Sequence, residues 1–306
     1  MIDVTVIIPT FNRLKSLLVA VDSVFSQPDV NAECIVVDDC STDGTVEYIR
    51  ERYAKHTLVA IEKDRRSGPQ SSRNQGLSKA RGEFVTFLDS DDYFEPNTLA
   101  KRIQRCRKDN LDALFSGYRV KHKGHHWDLI KEVDSSKRFC PSDYKMALCD
   151  FKIAPMITIM FRRSTNIGLT LDETLVSGHD DDLTLSLIRT CRYEFDDILA
   201  ATIVQHAGER IATSRNLMIG NAQLLKKYTS DIYRLHGKSH LTQKRSIALA
   251  GLWVVAEFKR TASILPEHPS QGSMFPALIF GLIRLPSTWW NELYKRLKMR
   301  ILRIVL

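Results

Sequence analysis

Apolar positions in the first ninety residues follow two alternating periods. Val4 to Ile8 (VTVII) is a continuous β-branched run, as expected of a strand buried on both faces. Pro9 and Thr10 end it. Leu14, Leu17, Leu18, Val21, Val24 and Phe25 then recur at helical spacing. Glu33 to Val37 (ECIVV) reads as a second buried strand, closed by Asp38 and Asp39. Ser41-Thr42-Asp43-Gly44 is turn chemistry suited to cap a helix over Thr45 to Tyr53. Thr57 to Ile61 predicts a third strand, Gln70 to Ala80 a helix, and Phe84 to Leu88 a fourth strand. This β-α-β-α-β-α-β order predicts an α/β fold: a Rossmann-like, mostly parallel sheet flanked by helices.

The pattern loosens further on. Leu111 to Val120 and Pro155 to Phe161 read as strands, and the polar stretch Lys121 to Asp150 between them reads as an irregular loop region. It holds His122, His125 and His126, but no cysteine or acid stands at zinc-ligand spacing from them. Ser177 to Arg189 (SGHDDDLTLSLIR) is an acidic cluster opening a helix, and Ile198 to Val204 is a strand ending at Gln205 and His206. From Leu217 the character becomes helical, over Leu217 to Leu235 and Leu241 to Arg260. The expected organisation is a domain over residues 1–215 and a helical C-terminal extension over 216–306. Leu285 to Leu306 (LPSTWWNELYKRLKMRILRIVL) reads as a basic amphipathic helix with tryptophans at one end. Such a helix suits an anionic membrane surface, with packing on its own domain as the alternative.

In parallel sheets, ligands bind outside the carboxyl ends of the strands. Polar residues collect at those ends here: Thr10 and Asn12 after the first strand, Asp38 and Asp39 after the second, and Asp89, Asp91 and Asp92 after the fourth. Three carboxylates within four residues repel one another and resist dehydration. Either they form a surface turn or they hold a divalent cation, which takes hard oxygen ligands. A turn accounts for any one of the three sets but poorly for all three at one rim. Arg73, at a helix start, is either a phosphate contact or a solvated charge.

The chain of 306 residues is 43% hydrophobic and 26% charged, enough to bury a core. Its formal net charge of +8 points to an anionic partner. The acidic strand ends argue against nucleic acid, whose phosphates they would repel. A sugar nucleotidyltransferase would want a glycine-rich loop after the first strand, and Pro9-Thr10-Phe11-Asn12-Arg13 has no glycine. The remaining alternative is a non-enzymatic basic protein that binds a membrane or nucleic acid. Six cysteines without CxxC pairing suggest reduced thiols in the cytoplasm. The N-terminus lacks signal-peptide character, and no apolar run reaches the ~20 residues of a membrane span. The expected location is the cytoplasm, peripheral on the cytosolic face of the inner membrane.

VTVIIPTFNR, VVDDCSTDGT and SRNQGLSKARGEFVTFLDSDD resemble, in order and spacing over about residues 3–100, the N-terminal half of family 2 glycosyltransferases of bacterial cell-surface polysaccharide type. SGHDDDL and QHAGERIATS extend the likeness more weakly. The resemblance implies a GT-A fold and transfer, with inversion, of a sugar from a nucleotide-diphosphate donor, commonly UDP, to an acceptor hydroxyl. The acceptor would be a glycan or a lipid-linked precursor in envelope polysaccharide or glycolipid biosynthesis. It implies a nucleotide site of Pro9, Thr10, Phe11, Asn12, Asp38, Asp39 and Asp89, to which Arg73 is added as the phosphate contact. Asp91, with Asp92 beside it and His206 in some members, would hold Mn²⁺ or Mg²⁺ on the diphosphate. The family's acidic pair after a glycine corresponds to Gly178-His179-Asp180-Asp181-Asp182-Leu183. Asp180 falls at the position of the general base, with Asp181 adjacent.

Overall fold

The computed structural model describes residues 1–122, 129–133, 143–149, 154–166, 168–205 and 214–254. β1 (Val4–Thr10) is flanked by β2 (Ala32–Asp38) and β4 (Phe84–Phe87), and β3 (Leu58–Glu62) lies beyond β2. All four run parallel. The crossovers carry α1 (Leu14–Phe25), α2 (Thr45–Arg52) and α3 (Pro69–Lys79). The order read from the sequence is the order observed. Every residue of β1 and β2 is buried, as their unbroken apolar runs require, and α1 turns Leu17, Ala20, Val21 and Val24 into the same core.

Beyond β4 the sheet becomes mixed. β5 (Tyr93–Phe94) leads into α4 (Thr98–Lys108), followed by β6 (Ala113–His122), β7 (Leu129–Val133), β8 (Ile159–Arg162), helix α5 (His179–Thr190) and β9 (Tyr193–Gln205). The strand order is β3-β2-β1-β4-β8-β6-β9-β5, with β7 paired to β6. The result is the mostly parallel, helix-flanked sheet expected from the sequence.

Several elements differ from their sequence-derived outlines. Lys121 to Asp150 is not wholly irregular, because β7 forms an antiparallel ladder with the far end of β6. Pro155 to Phe161 divides into a 3₁₀ turn over Met156–Thr158 and then β8. β9 starts at Tyr193, ahead of the expected Ile198. The acids Glu194, Asp196 and Asp197 hide this strand from an apolar count, while Phe195 stacks on Phe115 at 4.7 Å between centroids. α4 had no outline at all. Its core stripe includes a fully buried arginine, Arg102, between Leu99, Ile103 and Cys106.

The chain forms two compact units. The first comprises Met1–Glu173 and the stretch from His179 through β9; the second gathers Thr174–Gly178 with α6 (Ser214–Lys227) and α7 (Thr229–Val254). In the second unit Gln223 brackets the short segment, accepting from the Val176 amide at 2.9 Å and donating to the Thr174 carbonyl at 2.8 Å. α7 is interrupted at Gly237, whose φ of 81° leaves the helical region. No described helix is long and apolar enough to cross a membrane. The residues after 254, including the basic stretch Leu285 to Leu306, lie outside the described residues.

The start of β4 is fixed by contact with β1. Glu33, fully buried, accepts from the Thr5 hydroxyl at 2.7 Å, the Arg81 amide at 3.0 Å and Arg81 Nε at 2.7 Å. Gly82 follows directly, and a Cβ there would lie 2.5 Å from Thr5 N and 2.6 Å from Val4 C, backbone atoms that cannot step aside. Gly82→Ala is therefore expected to destabilise the protein by roughly 1–3 kcal/mol. The loss should appear as a lower urea midpoint at unchanged slope; an unmoved midpoint would contradict the close approach.

Candidate active site

The carboxyl ends of β1 and β2 lie side by side, with Pro9 opposite Val37 and Thr10 opposite Asp38. Asp38 is turned inward at 1% exposure and spends both oxygens on Ser41, one on its amide at 2.7 Å and one on its hydroxyl. Ser41 Oγ accepts from the Asn12 amide at 2.7 Å, and Asn12 Oδ1 accepts from the Thr42 amide at 2.8 Å. Asn12 adopts a positive φ of 48°, a region that asparagine tolerates better than most residues. The two loops are thereby locked to each other. Phe11 projects beside them with the Arg66 guanidinium 3.8 Å above its ring, a cation–π contact.

Asp39 is also committed within the protein. Lys63 Nζ, just past β3, donates to its Oδ1 at 2.7 Å; the amides of Ser67 and Gly68 donate at 2.9 and 2.8 Å. Burial opposes ionisation of this carboxyl, but the Lys63 hydrogen bond and charge and the two amides outweigh it, and its pKa is lowered. Lys63 and Asp39 side chains are 5% and 7% exposed, a buried ion pair.

The acidic turn after β4 divides three ways. Asp89, half exposed, pairs with the buried Arg73 at 2.5 Å. Asp91 pairs with Arg13 from the first loop. Asp92 is buried, with one oxygen accepting the Val204 amide of β9 at 2.8 Å. No cation pairs with Asp92 among the contacts described. Burial and the charges of Asp89 and Asp91 push its pKa up to about 8, despite the Val204 bond and a contribution from Arg13. At neutral pH it therefore favours the protonated form.

α5 brings a fourth acid to this group. Asp180, in its first turn, is exposed to solvent on one side while protein crowds it on the others. That crowding limits its hydration and, with the charge of Asp89, pushes its pKa up to about 6. Arg73 and a hydrogen bond from the Met156 amide act in the opposite direction.

Of the residues singled out in the sequence, Pro9, Thr10, Phe11, Asn12, Asp38, Asp39, Arg73, Asp89, Asp91, Asp92 and Asp180 all fall on the β1-β2-β4 rim or couple to it. His206 lies outside the described residues. Asp38 and Asp39 act first as loop-ordering groups. Lys63, Arg13 and Arg66 were not among the expected site residues; each stands just past a strand end or in the loop after one, where polar residues were already informative. Two buried polar atoms here, Thr10 Oγ1 and Arg73 Nε, find no partner among the described residues. The donor set fits a hard divalent cation. The oxygens are carboxylates, and Asp92 favours its proton because it is buried and stands beside the charges of Asp89 and Asp91, which Arg13 only partly offsets.

The sequence pattern of Glycosyl transferase family 2 matches residues 5–168, more than half the chain. The chain belongs to this family. It is 34% identical over 120 residues to the succinoglycan biosynthesis protein ExoO of Rhizobium meliloti, covering 37% of this chain and 34% of ExoO. It is 40% identical over 127 residues to the poly(ribitol-phosphate) beta-N-acetylglucosaminyltransferase TarS of Staphylococcus aureus, covering 40% of this chain and 22% of TarS. The matches thus span about a third or less of those relatives. The fold is similar to crystalline TarS 1-349 in complex with UDP-GlcNAc, with TM-score 0.61 at 21% identity over 94% of this chain and 83% of that one. It is also similar to the mannosyltransferase PcManGT of Pyrobaculum calidifontis in complex with GDP-Man and Mn²⁺, with TM-score 0.53 at 18% identity over 92% and 86%. These likenesses show the GT-A type of fold.

Removing the cation from the buried Lys63–Asp39 pair should cost this family member more than removing both charges. Lys63→Met is expected to lower the unfolding free energy by about 3–5 kcal/mol, because it strands a buried carboxylate. Adding Asp39→Asn to it should recover part of the loss in chemical denaturation. Equal losses in the single and double variants would show that packing, not charge, holds this loop.

Proposed function

We propose that the enzyme transfers a sugar, with inversion, from a nucleotide-diphosphate donor, UDP in the first instance, to an acceptor hydroxyl. The observation that carries this reading is the coupling of Asp180 to the acidic turn. A carboxylate whose pKa of about 6 suits proton transfer near neutrality stands against the rim that would hold the donor. In the reaction, the acceptor oxygen attacks the anomeric carbon as its proton passes to the Asp180 carboxylate. The bond from that carbon to the diphosphate breaks, and the nucleoside diphosphate leaves. Asp91, with Asp89 and Asp92 beside it, would hold Mg²⁺ or Mn²⁺, which supplies positive charge for the leaving diphosphate. Arg13 would have to leave Asp91 for this, and its guanidinium is then free for the diphosphate oxygens. Phe11, with Arg66 above it, offers a flat apolar face for the nucleotide base, beside the loops ordered by Asp38 and Asp39.

A UDP donor is supported by TarS with UDP-GlcNAc, and a metal by PcManGT with GDP-Man and Mn²⁺. An acceptor in bacterial envelope polysaccharide is supported by ExoO and TarS, whose names assign them to succinoglycan and poly(ribitol-phosphate). The net charge of +8 agrees with work beside an anionic membrane surface on a glycan or lipid-linked acceptor.

Two measurements test this. UDP with Mn²⁺ should raise the melting temperature by mass action, and Asp91→Ala should remove the metal-dependent part. A shift that ignores both the metal and Asp91 would overturn the metal assignment. Asp180→Asn should lower kcat by about 10²–10⁴-fold with the fold retained. In the parent enzyme, kcat/KM should rise with pH through about 6, because only the deprotonated Asp180 accepts the proton. Unchanged turnover in Asp180→Asn would remove it as the base.

A further inference from the structure

Arg102 is fully buried in α4, and burial lowers its pKa to about 10. Its charge is partly offset by the Asp196 carboxylate of β9, yet its one described hydrogen bond runs from Nη2 to the Thr158 carbonyl at 2.7 Å; Nε and Nη1 find no hydrogen-bond partner among the described residues. Thr158 closes the 3₁₀ turn Met156–Thr158. Its hydroxyl and amide both donate to the Pro155 carbonyl, at 2.7 and 2.9 Å, and the Thr86 hydroxyl of β4 takes the next carbonyl, Ile159, at 2.7 Å. Two successive carbonyls are thus held, one from α4 and one from β4. The amide at the other end of this turn, that of Met156, donates to Asp180.

We infer that Arg102 is a positioning residue for Asp180: its guanidinium fixes the Met156–Thr158 turn from beneath, so that the Met156 amide stays aimed at the Asp180 carboxylate. Its link to catalysis rests on the reading of Asp180 as the base; its link to Asp180 itself does not. The other groups that act on Asp180 are Asp89 after β4 and Arg73 on α3, with His179, Asp181 and Asp182 beside it on α5. None of them touches Arg102 in the contacts described. A buried charge pair replaced on both sides by uncharged side chains is often neutral for stability, whereas removing one member strands the other, and Arg102 faces Asp196. Arg102→Met, made together with Asp196→Asn so that no carboxylate is stranded, should therefore separate positioning from folding.

The test is a carbon-13 carboxyl NMR titration of the full chain, with Asp180 assigned by the signal lost in Asp180→Asn. Arg102→Met in the Asp196→Asn background should leave the melting temperature of that background nearly unchanged. It should move the Asp180 midpoint up by roughly one unit, the worth of one charge-assisted hydrogen bond. Arg102→Lys, which keeps a donor, should fall between. UDP release from UDP-N-acetylglucosamine with Mn²⁺ should drop about 10- to 100-fold in kcat, with KM for the donor little changed. An unmoved Asp180 midpoint in folded Arg102→Met overturns the inference. Should that variant not fold, an unmoved midpoint in Arg102→Lys overturns it, and so does unfolding of both, since Arg102 would then serve the core alone. If Arg102→Met moves the midpoint while Asp180→Asn keeps full turnover, the base reading fails and the Arg102 coupling stands.

Discussion

The rim depends on one constraint: carboxylates gathered by topology must be neutralised, one by one, where they stand. Asp39 follows β2, and Asp89, Asp91 and Asp92 follow β4, so parallel pairing through β1 brings them to the same edge. Three cations answer them from three different places: Lys63 past β3, Arg73 on α3 and Arg13 before α1. Each pairing needs the crossover that carries its cation to open at that same edge, which parallel strands joined by helices guarantee. Asp39, paired and buried, is held ionised; Asp92 and Asp180, with no cation in contact among the described pairs, are pushed toward the neutral form. The site is therefore divided into a pre-neutralised half and a half still short of positive charge. The short half is the one that favours a cation or takes up a proton.

Helix α3 shows how much of this arrangement rests on a few adjacent residues. Ser72 accepts from Lys63 Nζ at 3.3 Å, Arg73 pairs with Asp89, and Asn74 brackets Leu171, accepting from its amide at 2.7 Å and donating to its carbonyl at 2.9 Å. Three consecutive side chains thus reach the Asp39 loop, the acidic turn and the segment that leads toward α5. A rotation of this helix by a few degrees would disturb all three, and a glycine at position 76 keeps it close. A Cβ there would lie 2.4 Å from Ile7 Cγ2 on β1.

The parallel half was legible because burial on both faces leaves an unbroken apolar signature, as in VTVII and ECIVV. The acidic strand ends were legible for the opposite reason, since nothing in a core explains three adjacent carboxylates. What stayed hidden was carried by residues whose type misstates their environment. α4 (TLAKRIQRCRK) reads as a basic surface segment, yet Arg102 is fully buried in it. β9 opens with acids that an apolar count rejects, although Phe195 packs on Phe115. β7 is legible only through its partner, because its register comes from β6. In the site, the aspartates could be named but not their states: which were paired and which were crowded depends on Lys63, Arg13 and Arg73, brought in from separate elements.

Arg102 makes the same point in energetic terms. Burying a guanidinium with one described hydrogen bond is costly even with Asp196 to offset its charge, and uncharged side chains in place of both would serve the core as well or better. Stability alone therefore gives no reason for a charge at that position. A reason appears only when the contact is followed outward, from the Thr158 carbonyl through a three-residue turn to the amide that meets Asp180. Leu99, Ile103 and Cys106 on the same stripe account for the packing of α4, so the guanidinium is left with a task that packing does not require. A main-chain donor gains precision only from what immobilises the turn behind it, and a side chain reaching from the core immobilises it better than solvent-exposed contacts do.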